Sequence, residues 1–109
     1  MTEQDKVRGY RDYLNDEDGI YRLRLFVTGA SPNSSRAITN LKEICETHLK
    51  GIYELEIVDV YQQPLIAESE QIIALPLLIK KTPSPVRRLI GDMSDTGKVL
   101  RGLGLLPVI

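Results

Sequence analysis

A chain of 109 residues with one cysteine and one histidine can bury a single modest core, but it can form neither an intrachain disulfide nor a structural zinc site of four cysteine and histidine ligands. Its net charge of −1 argues against a broadly basic nucleic-acid binder. The apolar run Ile72–Ile79 is too short to span a bilayer. Because no signal-peptide pattern opens the chain, we expect a cytoplasmic protein with neither membrane nor nucleic acid as a partner.

The first 18 residues differ in composition from the rest of the chain. They contain six acidic and three basic residues and few apolar ones. Such a segment has too little apolar surface to join a core. We therefore expect a flexible N-terminal extension over residues 1–18 and one folded domain over residues 19–109.

The first half of that domain is predicted to contain a strand, a helix and a second strand. Apolar residues alternate with arginines over Tyr21–Thr28, which is typical of a strand. Ser31 then suits a helix N-cap and Pro32 suits the first helical position. Gly51 should end this helix. A second alternating run, Tyr53–Val60, predicts the next strand.

The second half is predicted to contain shorter elements. Pro64 opens a short amphipathic helix or turn that runs to about Ile73. Two short strands, Leu75–Lys81 and Val86–Gly91, are joined by a proline-rich turn. Ser94 is the predicted cap of a last helix, whose apolar face would consist of Val99, Leu100, Leu103 and Leu106.

The predicted order is strand, helix, strand, helix, strand, strand, helix. A right-handed βαβ unit followed by a hairpin and a closing helix gives an α/β domain with a four-stranded mixed sheet and helices on both faces. This is the thioredoxin-like arrangement. Folds of this kind usually carry a cis proline at the start of the third strand, so we predict a cis peptide bond before Pro76.

Redox proteins of this shape carry two cysteines where the first helix begins. A helix N-terminus lowers the pKa of a thiol, whereas a serine hydroxyl gains no comparable reactivity there. His48, the one histidine, follows Ser31 by 17 residues on the same helix, roughly 25 Å away, and cannot serve as its base. We therefore predict no catalysis, cofactor or metal, and interpret five positions as a vestigial redox site: Ser31, Pro32, Asn33, Ser34 and Pro76.

The segment from Gln71 to Gly91 contains no acidic residue and four basic ones, namely Lys80, Lys81, Arg87 and Arg88. Two interpretations remain open. The basic residues can protect an exposed strand edge from pairing with other strands, or they can form a docking patch for an acidic protein surface.

Four stretches of the sequence closely resemble the KaiB family, the small partner of the KaiC ATPase in the cyanobacterial circadian clock. They read GASPNSSRA, YELEIVDV, ALPLLIKKTPSPVRRLIGDMSD and KVLRGLGLL. The match runs from about Tyr21 to Leu106 without an apparent gap.

The resemblance implies an adaptor without enzymatic activity that binds a KaiC-like ATPase ring and modulates circadian or related signalling. It also implies further partners, such as KaiA-like proteins and histidine-kinase regulators, and a homo-oligomer, either a dimer or a tetramer. The family's partner-binding basic residues fall on Arg36, Lys80, Arg87 and Arg88, and Lys81 belongs to the same basic segment.

The resemblance further implies a metamorphic C-terminal half that can adopt two arrangements. Gly91 and Asp92 fall where the family's preference between them is sensitive to substitution. Three glycines weaken the predicted last helix (Gly97, Gly102, Gly104), and four prolines interrupt this half (Pro64, Pro76, Pro83, Pro85). Two packings of similar free energy are therefore expected.

A second function stays open beside the adaptor. The chain could be a clock-independent, thioredoxin-like protein of the oxidative-stress response, with Cys45 as a single-thiol sensor. Cys45 lies on the apolar stripe of the first predicted helix, which instead indicates a buried, unreactive thiol. The exposure of Cys45 separates the two interpretations.

Overall fold

The computed structural model describes residues 18–72 and 74–106. Of the predicted extension over residues 1–18, all but Asp18 therefore lies outside the described residues. The elements follow the predicted order: β1 (Tyr21–Val27), α1 (Pro32–His48), β2 (Tyr53–Asp59), α2 (Pro64–Ser69), β3 (Leu77–Thr82), β4 (Arg87–Ile90) and α3 (Thr96–Gly102). None of the helices described has the length and apolar character needed to cross a membrane.

The four strands form one mixed sheet in the order β2-β1-β3-β4. β1 and β2 are parallel, as the intervening helix requires. β3 runs antiparallel to both β1 and β4. The predicted four-stranded mixed sheet is confirmed, and it leaves β2 and β4 as the outer strands.

Alternation along the strands divides the apolar residues between two cores. On one face, β1 contributes Leu23, Leu25 and Val27 to a main core that α1 and α3 cover. On the other face, Ile66 of α2 packs against a smaller buried cluster. We call this cluster the second core; its members are Phe26, Val58, Leu77 and Ile79.

The start of α1 follows the prediction. The Ser31 side chain accepts a hydrogen bond from the backbone N–H of Ser34 at 3.2 Å, and Pro32 occupies the first turn. This bond satisfies one of the amide groups that a helix N-terminus leaves without an intrahelical partner. The helix ends at His48, and Gly51 adopts a φ of +82° in the turn before β2.

The start of α3 differs from the prediction by one residue. Asp95, and not Ser94, is the N-cap, and its side chain accepts from the backbone N–H of Lys98 at 3.0 Å. The backbone N–H of Ser94 instead donates to the Asp92 carboxylate at 3.0 Å. That bond holds Ser94 in the preceding turn, so the helix begins at Thr96.

Other elements of the second half are also shorter than predicted. β3 begins at Leu77 rather than Leu75, and α2 ends at Ser69, before the predicted limit. Leu106 lies beyond the end of α3 and is 41% exposed, so it is not part of the helix's apolar face. Gly104 also follows the helix, with a φ of +80° that suits glycine in a turn.

Candidate functional site

The predicted vestigial redox positions lie together where β1 gives way to α1. The Ser31 hydroxyl is 2.8 Å from the Ser34 hydroxyl, and the Ser34 oxygen accepts from the backbone N–H of Thr28 at 3.1 Å. Ser34 is 1% exposed, whereas Pro32 and Asn33 lie at the surface. Both serines therefore act as structural hydrogen-bonding groups that fix the turn before the helix.

Pro76 lies beside this turn. An open depression of about 360 Å³ is lined by Pro32 and Pro76 together with Thr28, Ser31, Asn33 and Leu75. The Leu75–Pro76 peptide bond is cis, as predicted. The peptide bonds before Pro83 and Pro85 are also cis.

The hydroxyls of this turn have no general base beside them among the described residues. His48 is exposed at the opposite end of α1. A serine nucleophile needs a base within hydrogen-bonding reach, about 3 Å. The described geometry therefore suits helix capping.

Cys45 is fully buried in the main core. Burial raises the pKa of its thiol to about 11. At neutral pH only about one thiol in ten thousand would be ionised, and the thiolate is the reactive form. The prediction of a buried thiol is confirmed, and its surroundings oppose a sensor role.

Arg36 and Asp92 join α1 to the loop after β4. The guanidinium of Arg36 donates to the Asp92 carboxylate at 3.3 Å and also to the side-chain oxygen of Asn33. The Asn40 side chain donates to the backbone carbonyl of Asp92 at 2.9 Å. Hydrogen bonds from Ser94, with a further contribution from Arg36, lower the pKa of Asp92.

This contact fixes the loop in which the two predicted fold-switch-sensitive residues lie. Gly91 has a φ of +124°, a conformation that other residues rarely adopt. The sensitivity of Gly91 and Asp92 to substitution stays a prediction. Their neighbour Met93 is buried and also has a positive φ, +62°.

The basic residues of β3 and β4 do not form one surface. Lys80 pairs with Leu23 and with Arg87, which places both basic side chains on the face covered by α1 and α3. Lys81 and Arg88 point to the opposite face, where α2 lies. The sheet thus separates the predicted patch into two pairs.

The individual environments of these residues differ as well. Lys80 is 3% exposed, so its side chain is not at the surface. The Lys81 ammonium lies 2.7 Å from the Glu70 carboxylate, and Arg88 donates to the backbone carbonyl of Glu70. Arg87 is exposed, and its side chain makes no hydrogen bond or ion pair with the described part of the chain. Of the four, Arg87 presents its charge most openly to a partner.

Glu70 is not among the site residues predicted from the sequence. Its carboxylate also lies 3.3 Å from Arg24, so it joins basic side chains of β1 and β3. A hydrogen bond from Lys81, with contributions from Arg24 and Arg88, lowers the pKa of Glu70. The sequence held a signal, because Glu70 is the last acid before the acid-free segment that begins at Gln71.

Comparison with known proteins places the whole arrangement in one family. A family model described as the KaiB domain matches residues 24–105. The chain belongs to the KaiB family. It is 55% identical over 86 residues to the circadian clock oscillator protein KaiB of Prochlorococcus marinus subsp. pastoris, covering 79% of this chain and 80% of that protein. It is 54% identical to the KaiB of a Picosynechococcus species, covering 79% and 83%.

Solved structures show the same fold in more distant proteins. The N-terminal domain of Synechococcus elongatus SasA superposes with a TM-score of 0.64 at 24% identity, covering 83% of this chain and 89% of that one. Mitochondrial thioredoxin 3 of Saccharomyces cerevisiae gives a TM-score of 0.66 at 14% identity, covering 92% and 90%. The predicted thioredoxin-like fold of this KaiB-family chain is confirmed.

Proposed function

We propose that this KaiB-family chain is a non-enzymatic adaptor that docks on a KaiC-like ATPase ring and thereby modulates circadian or related signalling. The observation that carries the proposal is the match to the KaiB domain over residues 24–105, together with 55% identity to a clock oscillator protein. Adaptors act through their surfaces, so the relevant residues are exposed and charged rather than residues that line a catalytic pocket.

The geometry of the serine turn supports a role without catalysis. The hydroxyls of Ser31 and Ser34, the proposed vestigial redox positions, hydrogen-bond to each other and to the backbone. The one cysteine of the chain, Cys45, is buried with a raised pKa. A thioredoxin-like stress protein that works through this thiol is correspondingly disfavoured.

The docking surface is proposed to centre on Arg87. Arg88 and Lys81 lie on the opposite face of the sheet and are proposed as partner-binding residues of a separate surface. Exposed basic side chains favour an acidic partner and speed its association. Arg36 is half exposed beside Asp92 and could exchange that partner for an acidic group of the ATPase. Lys80 can contribute only through the packing of β3, because it is buried.

Further partners follow from the same family role. KaiA-like proteins and histidine-kinase regulators are proposed as additional binders. The N-terminal domain of SasA shares this fold. Self-association into a dimer or tetramer and a cytoplasmic location also belong to the proposal.

The proposal is tested by size-exclusion chromatography of the purified chain mixed with the KaiC-type ATPase of the same organism, in ATP and separately in ADP. We expect the chain to elute with the ATPase in at least one nucleotide state, because an adaptor needs a persistent complex. Elution at its own volume in both states would mean that the chain has inherited the fold without the partner.

A further inference from the structure

The connection between β2 and β3 crosses the second core. Residues 60–72 leave the end of β2, form α2 and run back over the sheet. Beneath them, the four residues of the second core are each at most 2% exposed. Val60, Ile66 and Ile72 of the connection pack against that core. This segment therefore keeps the second core from water.

Local interactions within this segment stabilise it only weakly. α2 has six residues, well below the length at which a helix is stable by itself. Its N-cap, Gln63, makes no side-chain capping bond, and no residue of the helix is fully buried. Leu65 is 78% exposed. Local propensity and burial contribute little to holding α2 on the sheet.

Polar contacts hold the far end of the segment instead. The Glu70 carboxylate accepts from Lys81 of β3 at 2.7 Å and from Arg24 of β1 at 3.3 Å. Arg88 of β4 donates to the backbone carbonyls of Glu70 at 2.5 Å and Gln71 at 3.5 Å. Three strands therefore converge on one residue of the connection, and its side chain is only 19% exposed.

We propose that residues 60–72 form a hinged strap and that Glu70 is its latch. With the latch closed, the strap covers the second core. With the latch open, the strap lifts from the sheet and exposes apolar residues of β1, β2 and β3, while the main core stays intact on the other face. Such opening is a local unfolding event that does not require unfolding of the whole domain.

Amide exchange in the isolated full-length chain tests the latch. The Glu70 N–H donates to the Ile66 carbonyl and the Ile72 N–H to the Ala67 carbonyl, so both amides report on the strap. In Glu70→Gln we expect these two amides to exchange about tenfold faster, with amides of β1 and α1 changed by less than about twofold. The matched control is Glu68→Gln, which makes the same change of charge at an exposed residue two positions earlier, within α2.

Equal exchange in the Glu70→Gln and Glu68→Gln variants would overturn the proposal. So would an increase in Glu70→Gln that extends equally to α1, because that would report global destabilisation. Lys81→Met removes the latch from the opposite side and should speed the same two amides. If Glu70→Gln does not fold, the test rests on Lys81→Met. Unchanged exchange rates of the two strap amides in that variant would contradict the proposed latch.

A buried thiol gives a second readout. Val58 is 0% exposed beneath the strap, and Val58→Cys in a Cys45→Ala background places one thiol in the second core. Adding Glu70→Gln should raise the rate at which Ellman's reagent labels this thiol by about tenfold, well above the rate of global unfolding followed by circular dichroism. If the thiol is labelled at the rate of global unfolding both with Glu70 and with the Glu70→Gln substitution, the strap does not open separately from the rest of the domain, and the proposal is contradicted.

Discussion

Ser31→Cys/Ser34→Cys is expected to turn the serine turn into a reversible disulfide site. The two hydroxyl oxygens are already 2.8 Å apart, and a disulfide brings two sulfurs to about 2.05 Å. Mild oxidation should therefore remove two of the three thiols of the variant, the third being the buried Cys45. Thiol titration of the unfolded protein before and after oxidation measures the loss.

The single variant Ser31→Cys tests the electrostatics of the same site. The positive end of α1 favours a thiolate, so the pKa of the new thiol should lie below the ordinary value of about 8.5. Its alkylation should consequently persist as the pH falls through 8. Thr47→Cys, at the exposed C-terminal end of α1, is the control and should lose reactivity at higher pH. Equal pH profiles at the two positions would show that the helix start lacks the redox-site environment.

Gly102→Ala is expected to destabilise the domain by about 1 to 2 kcal/mol, although alanine is the better helix former. A Cβ at this position would lie 2.5 Å from Cδ1 and 2.9 Å from Cγ of Leu89, so it would push α3 away from β4. Urea denaturation followed by circular dichroism measures the free energy of unfolding and shows whether the substitution lowers it. Gly102 thus permits close packing and is not merely a weak point of the helix.

Gly97→Ala in the same helix is the matched comparison. Its Cβ would meet the far end of the flexible Arg101 side chain at 3.3 Å, and the backbone there suits alanine. We expect this variant to gain about 0.5 kcal/mol, mainly because alanine restricts the unfolded chain. If both alanine variants shift stability in the same direction, the contact between Gly102 and Leu89 does not limit the packing of α3.

The sequence predicted the fold well because its strands and long helix carry strong periodic patterns. Arginines alternate with apolar residues in β1, and Ser31-Pro32 marks the start of α1 by known capping chemistry. The start of α3 was misplaced because Ser94 and Asp95 are both good caps. Which one serves depends on the bond between Asp92 and Ser94, a contact that the sequence pattern does not reveal.

The basic residues of β3 and β4 show a different limit of prediction from the sequence. Neighbouring residues in a strand point to opposite faces, so Lys80 and Lys81 could never share a surface if they lay in one strand, and neither could Arg87 and Arg88. That separation was predictable once the strands were assigned. The burial of Lys80 was not, because it depends on the pairing of β3 with β1, which contains a register shift.

The contacts of Glu70 could not be predicted from the sequence, for a related reason. Arg24, Lys81 and Arg88 are 46, 11 and 18 residues from Glu70 along the chain. They meet because β3 lies between β1 and β4 in the sheet. Local patterns report capping and periodicity, whereas contacts between distant residues depend on the completed sheet.

The adaptor proposal is tested most directly by the affinity of the KaiC-type ATPase for the wild-type chain and for two charge-reversed variants. Arg87→Glu changes the exposed arginine of β4, and Arg101→Glu makes the same change on α3 at a site that no prediction assigns to docking. We expect Arg87→Glu to weaken binding at least about tenfold while Arg101→Glu stays within about twofold of wild type. Equal affinities for all three forms, or equal losses in both variants, would contradict docking through the β4 surface.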